Sequence, residues 1–148
     1  MKPRFNYRTT SPHVYQAMMN MQKADSGTSL DPVLRELLKI RISQINGCSF
    51  CLDMHAKDLL KLGDYQDHIV LLSVWREAPI YSDRERAALE LAEAVTRISE
   101  QGVPEAVYET VREYFDENEY MELILAINTI NSWNRIAIST GMFPGCLS

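Results

Sequence analysis

The stretch "LDPVLRELLKIRISQING" constrains this chain most, because both ends of a helix are written into it. Asp31 is an N-cap, Pro32 suits the first turn, and Gly47 stands where a left-handed residue ends a helix. Between them Val33, Leu34, Leu37, Leu38, Ile40, Ile42 and Ile45 cover a wide arc, so this helix is expected to be buried on more than one side. The same grammar recurs. A first helix is expected over about His13–Lys23, and "ADSGTS" breaks the pattern. Another starts near Cys48 or Ser49 and runs to Leu62 before Gly63, and a shorter one covers about Asp67–Trp75. "SDRERAALELAEAVTRIS" opens with Ser82 and Glu85 in capping-box spacing. Gly102 and Pro104 separate it from "PEAVYETVREYF", and "NEYMELILAINTINSWNRIAIST" closes at Gly141 and Pro144. Two-residue alternation is absent. The expectation is an all-α, single-domain bundle of about seven helices over residues 1–148.

The 148 residues suffice to bury roughly 70% of the unfolded surface, so no staple is needed for folding. Fifteen basic against twenty acidic residues give a net charge of −5, which argues against non-specific nucleic-acid binding. The start of the chain, "MKPRFNYRTTSPHVYQ", has no apolar run after its basic residues, and no stretch approaches the ~18 apolar residues of a membrane span. A cytoplasmic protein is expected. Its three cysteines, Cys48, Cys51 and Cys146, are not a disulfide scaffold. A Cys-x-x-Cys pair in a reducing compartment points to redox or metal chemistry.

"NGCSFCLDMH" places Cys48, Cys51 and His55 on the start of one helix. At about 100° per residue they fall within an arc of roughly 60°, so they can line one pocket. Free N–H groups and the helix dipole at that end favour a thiolate, the nucleophilic form of sulfur. The second sulfur, three residues away, can resolve an oxidised first one into a disulfide. His55 can move the proton that sulfur chemistry requires near neutral pH. The preceding helix offers Glu36, twelve residues before Cys48, with apolar Val33 and Ile40 on its face. A helical hairpin would bring that carboxylate toward the thiols.

Plainer readings stand beside these. The cysteines could be small buried side chains, His55 a satisfied core histidine, and Glu36 a surface acid paired with Lys39. Cys146 reads as an incidental thiol. Zinc is the weaker alternative, because a structural site wants four ligands and His13, His68 and Cys146 show no paired spacing. No bound cofactor or metal is expected. Trp133 reads as a packing anchor, with Asn134 and Arg135 capping a neighbouring helix or supporting the pocket.

The pattern Glu36-x11-Cys48-x2-Cys51-x3-His55, with its flanking segments between about Leu30 and Ser139, resembles the alkylhydroperoxidase D family within the wider carboxymuconolactone decarboxylase superfamily. The resemblance implies an all-helical homo-oligomer, commonly a trimer or hexamer. It implies a peroxidase that reduces a hydroperoxide substrate through a Cys48–Cys51 redox-active disulfide, restored by a thioredoxin-like or lipoyl-type reductant. It also implies that Glu36 and His55 form a proton relay, that Cys51 attacks the peroxide and that Cys48 resolves it. The residues alone leave that order open: nearness to the helix start favours Cys48 as the more acidic thiol, nearness to His55 favours Cys51. The chain departs from some members at Phe50, where they carry a second histidine; an apolar ring relays no proton. Alternatives are a disulfide reductase, a redox-sensing oligomer without turnover, and a carboxymuconolactone decarboxylase-like enzyme, for which two thiols are not needed.

Overall fold

Helix boundaries fall where the capping residues put them. The computed structural model describes residues 1–147, and among them there are α-helices and a 3-10 segment but no strand. The helices are α1 (Tyr7–Thr10), α2 (Pro12–Ser26), α3 (Pro32–Asn46), α4 (Ser49–Leu62), α5 (Gln66–Leu71), α6 (Asp83–Thr96), α7 (Ile98–Gln101), α8 (Glu105–Tyr114) and α9 (Glu117–Thr140). Asp31 caps α3 by accepting from the Leu34 N–H at 3.0 Å. Ser82 and Glu85 form the expected capping box of α6.

The expected seven helices are all present, and the differences are local. α1 and α7 add single turns at Tyr7–Thr10 and Ile98–Gln101. The fifth expected helix stops at Thr96 because Arg97 leaves helical geometry (φ −102°, ψ 37°) before α7 begins. The fourth runs on from α5 as a 3-10 segment, Leu72–Glu77, with Val74 out of helical geometry. The tighter winding leaves Trp75 buried, donating its indole N–H to Glu93 Oε1 on α6 at 2.9 Å. α9 opens with a second capping box, Asp116 and Glu119.

α3 lies at the centre, packed against α4, α6 and α9. That is the outcome its wide apolar arc predicts: Leu37, Leu38, Ile40 and Ile42 are all fully buried. Burying a Leu or Ile side chain contributes about 1.5–3 kcal/mol, so this one helix supplies much of the core. α2 lies along α9, and the Arg4 N–H donates to the Thr140 carbonyl at 2.8 Å, fixing the N-terminal segment to the end of α9. Among the described residues no helix is long and apolar enough to cross a membrane.

Candidate active site

The site is built on the turn between α3 and α4. Gly47 adopts φ 72°, ψ 32°, a conformation costly to any residue with a Cβ. Its N–H donates to the Gln44 carbonyl at 3.3 Å, and the Cys48 N–H donates to the Ser43 carbonyl at 3.0 Å. The paired bonds close α3 in a Schellman motif and reverse the chain into α4. Cys48 then serves as N-cap of α4, its sulfur accepting from the Cys51 N–H at 3.4 Å. Both sulfurs therefore sit at the positive end of a 14-residue helix, as the sequence predicts.

Their acidities diverge. A hydrogen bond from Cys51 is the main influence lowering the Cys48 thiol; the Cys51 N–H and the Asn134 amide add to it against the cost of burial, and the result is about 7. Cys51 is pushed up, first by that same bond to Cys48 and then by burial. Of the two adjacent sulfurs, Cys48 is the one whose thiolate is favoured. Both residues are closed off, at 2% and 1% exposure.

The α3–α4 hairpin brings Glu36 to His55, with Glu36 Oε2 2.8 Å from His55 Nδ1. The alternative pairing of Glu36 with Lys39 is corrected by the structure. The Lys39 ammonium turns instead to the buried Asp25 of α2, 2.6 Å from Oδ2. Carboxylate and imidazole face a cavity of about 360 Å³, within the size range of small-ligand sites. Phe50, Met54, Tyr15 and Trp133 also line it, but neither cysteine does. Trp133 packs edge-on against Tyr7, with ring centroids 6.3 Å apart. Arg135 is exposed and lies outside this cavity, and Cys146 is half-buried in the turns after α9.

Two features escaped the sequence reading. Asp58 lines the same cavity, and ligand atoms of Glu36, His55 and Asp58 lie within 4.8 Å of one another. These are the groups a cation would meet first, although Glu36 is engaged with His55 and Asp58 pairs with Lys61 at 3.0 Å. The three-residue spacing of His55 and Asp58 on one helix was the available signal. The second feature is the pairing of half-buried Asn46 of α3 with buried Asn131 and Asn134 of α9. They are 85 and 88 residues apart in sequence, so no local spacing announces them.

Comparison with known proteins agrees with this architecture. The model of the carboxymuconolactone decarboxylase family matches residues 12–94. The uncharacterized protein YdfG of Bacillus subtilis is 46% identical over 141 residues, covering 95% of this chain and 96% of its own. A solved structure from Agrobacterium tumefaciens, of unknown function and provisionally assigned to AhpD antioxidant defence, superimposes with a TM-score of 0.93 at 41% identity, covering 97% of this chain and 99% of that one. An uncharacterized peroxidase-related protein from Ralstonia eutropha JMP134, described as an alkylhydroperoxidase AhpD core, gives a TM-score of 0.80 at 25% identity, over 97% of this chain and 77% of that one. With a family match over more than half its length and an alkylhydroperoxidase D-like fold, this chain belongs to the carboxymuconolactone decarboxylase family.

Proposed function

We propose that the protein is a thiol-dependent peroxidase that reduces an organic hydroperoxide with Cys51 and Cys48 and uses Glu36 and His55 as its proton relay. The observation that carries this reading is the 2.8 Å Glu36–His55 pair, which joins α3 to the helix whose N-terminus holds both sulfurs. Glu36 accepts from the His55 Nδ1–H, which leaves Nε2 as the basic nitrogen. Nε2 takes the Cys51 proton, and the sulfur attacks the terminal oxygen of the hydroperoxide. The O–O bond breaks, the alkoxide leaves with a proton from His55 as the alcohol, and Cys51 becomes a sulfenic acid. The Cys48 thiolate then attacks that sulfur, hydroxide departs as water with one further proton, and a Cys48–Cys51 disulfide remains. In sum ROOH and two thiols give ROH, water and the disulfide. A thioredoxin-like or lipoyl-type dithiol returns the two electrons, and the working unit is a homo-oligomer.

The test mixes fully reduced protein with one equivalent of an alkyl hydroperoxide and follows the thiols by peptide mass spectrometry over seconds. Rapid loss of two hydrogens at a Cys48–Cys51 bridge is expected, abolished by Cys51→Ser. Cys48→Ser should accumulate a sulfenic acid on Cys51, trapped by dimedone. Trapping on Cys48 in Cys51→Ser, with none on Cys51 in Cys48→Ser, would reverse the order of attack. Oxidation no faster than an ordinary free thiol would remove the peroxidase reading. A second reading follows from the cavity being lined by Glu36 and His55 rather than by sulfur: an acid–base enzyme acting on an organic acid, in the sense of the family's name. Turnover that survives alkylation of both thiols would establish it.

A further inference from the structure

The cavity that holds the Glu36–His55 pair is also lined by Arg8 of α1 and by Arg35 and Lys39 of α3. Lys39 is neutralised by the buried Asp25, and Asp58, the other acid of the cavity, by Lys61. Arg35 donates a terminal nitrogen to the Asp25 backbone carbonyl at 2.8 Å, and Arg8 donates Nε to the Tyr7 hydroxyl at 3.4 Å. Among the described residues neither guanidinium is paired with a carboxylate. Setting the neutralised pairs aside leaves both arginines against Glu36 alone, a cationic balance in a chain of net charge −5. Arg8 is exposed, but its guanidinium is held in place. It lies 5.3 Å from the ring centre of Tyr15 and 5.9 Å from that of Tyr7, within cation–π reach of both. Those rings meet edge to face at 6.0 Å, and Tyr7 packs in turn on Trp133. The fork is thus fixed beside the cavity with its terminal nitrogens unpartnered among the described residues. Phe50, Met54, Ile130 and Trp133 supply apolar lining to the same space.

We propose that this cavity takes a carboxylate-bearing organic hydroperoxide, its carboxylate received by Arg8, with Arg35 as the second cation, and its apolar body set against Phe50, Met54, Ile130 and Trp133. A guanidinium binds a carboxylate through two parallel N–H···O bonds, which fixes direction as well as adding affinity. Anchoring the acid end limits where the peroxide end can lie relative to His55. Both arginines are specificity residues and move no proton. A divalent cation is the less fitting occupant, because each acid of the cavity already has a partner and both unpaired charges are positive. The inference rests on the peroxidase reading only in naming the hydroperoxide group; the carboxylate anchor stands on the cavity itself.

The experiment is equilibrium binding of 3-phenylpropionate, which carries no peroxide, against its neutral amide. It is followed by tryptophan fluorescence of the reduced full-length protein, in which Trp133 lines the cavity. The acid is expected to bind about tenfold more tightly than the amide, the worth of one charge-assisted pair. Arg8→Gln should abolish that preference and leave the amide's affinity unchanged, which shows the cavity intact. Arg135→Gln removes the same charge from an exposed position outside the cavity and should keep the preference. No preference in the wild type, or one that survives Arg8→Gln, overturns the proposal. So does an equal loss in Arg135→Gln, because that would be the field of the whole protein and not a site. If Arg8→Gln loses the amide as well, Arg35→Gln decides by the same comparisons. The titration involves no turnover, so the two readings fail separately. An acid preference in a protein indifferent to hydroperoxides removes only the peroxidase. Fast hydroperoxide reduction without an acid preference removes only the anchor.

Discussion

Glu93 and Glu36 are both drawn into the interior beside α3, and they are put to different uses. Glu93 on α6 receives Arg41 Nε and Trp75 Nε1 on one oxygen, each at 2.9 Å, and Arg76 on the other at 2.8 Å. Burial alone would push its carboxyl up, but the bonds from Trp75, Arg76 and Arg41 outweigh it and hold the group below its ordinary range. It is a fixed anion that ties α3, the 3-10 segment and α6 together. Glu36 has one partner, His55, and the pair opens on a cavity. Permanent donors make a carboxylate a strut; a single imidazole partner facing a cavity is the arrangement the proposed relay requires.

That contrast can be broken at either end, and the largest effect is expected at Glu93. Glu93→Ala leaves Arg41 and Trp75 with buried donors unmet and should cost about 3–5 kcal/mol in urea unfolding, with the Cys48 thiolate midpoint unchanged. Near-wild-type stability would show that the strut is dispensable. Glu36→Gln should do the reverse: a fall of about 10²-fold in hydroperoxide reduction, equivalent to roughly 2.7 kcal/mol of barrier, and under about 1 kcal/mol in stability. Gly47→Ala should cost about 1–2 kcal/mol in the same unfolding assay. Nothing lies within 4 Å of the added Cβ, so the cost is that of the left-handed backbone alone.

The pH dependences are the finest test. Because the folded Glu93 carboxyl lies below its ordinary 4.5, its contribution is complete above the unfolded value and lost as pH falls through the folded one. The stability gap between wild type and Glu93→Ala should therefore narrow at acidic pH and stay constant from neutral pH upward. At the dithiol, absorbance at 240 nm should report one thiolate with a midpoint near 7, Cys51 remaining protonated. Two thiolates appearing together would mean that the proton is not held on one sulfur.

The parts of this molecule that announce themselves in sequence are those whose physics is local. Asp31, Pro32 and Gly47 delimit α3 to the residue, and the Ser82–Glu85 box starts α6. The site follows from the same locality: Cys48, Cys51 and His55 share one helix, and the short Gly47 turn folds Glu36 back onto it. The Asp116–Glu119 box is equally local and stands just before the apolar run of α9. What sequence hides is long-range pairing. Lys39 has Glu36 three residues away, yet it binds Asp25 across a helix–helix contact, because Asp25 is fully buried there and needs a cation. The break at Val74 has its counterpart in Glu93, far along the chain. The amides of Asn46, Asn131 and Asn134 become a chain only once α9 lies against α3.

Because Cys48 is the N-cap of α4 and Cys51 lies in its first turn, joining the two sulfurs closes a loop of only four residues inside one helical turn. The bridge would link no two helices. In the proposed cycle the covalent change is confined to the first turn of α4, much as a battery changes state without changing its casing. A dithiol partner that reduces such a bridge would have to reach sulfurs that are only 2% and 1% exposed.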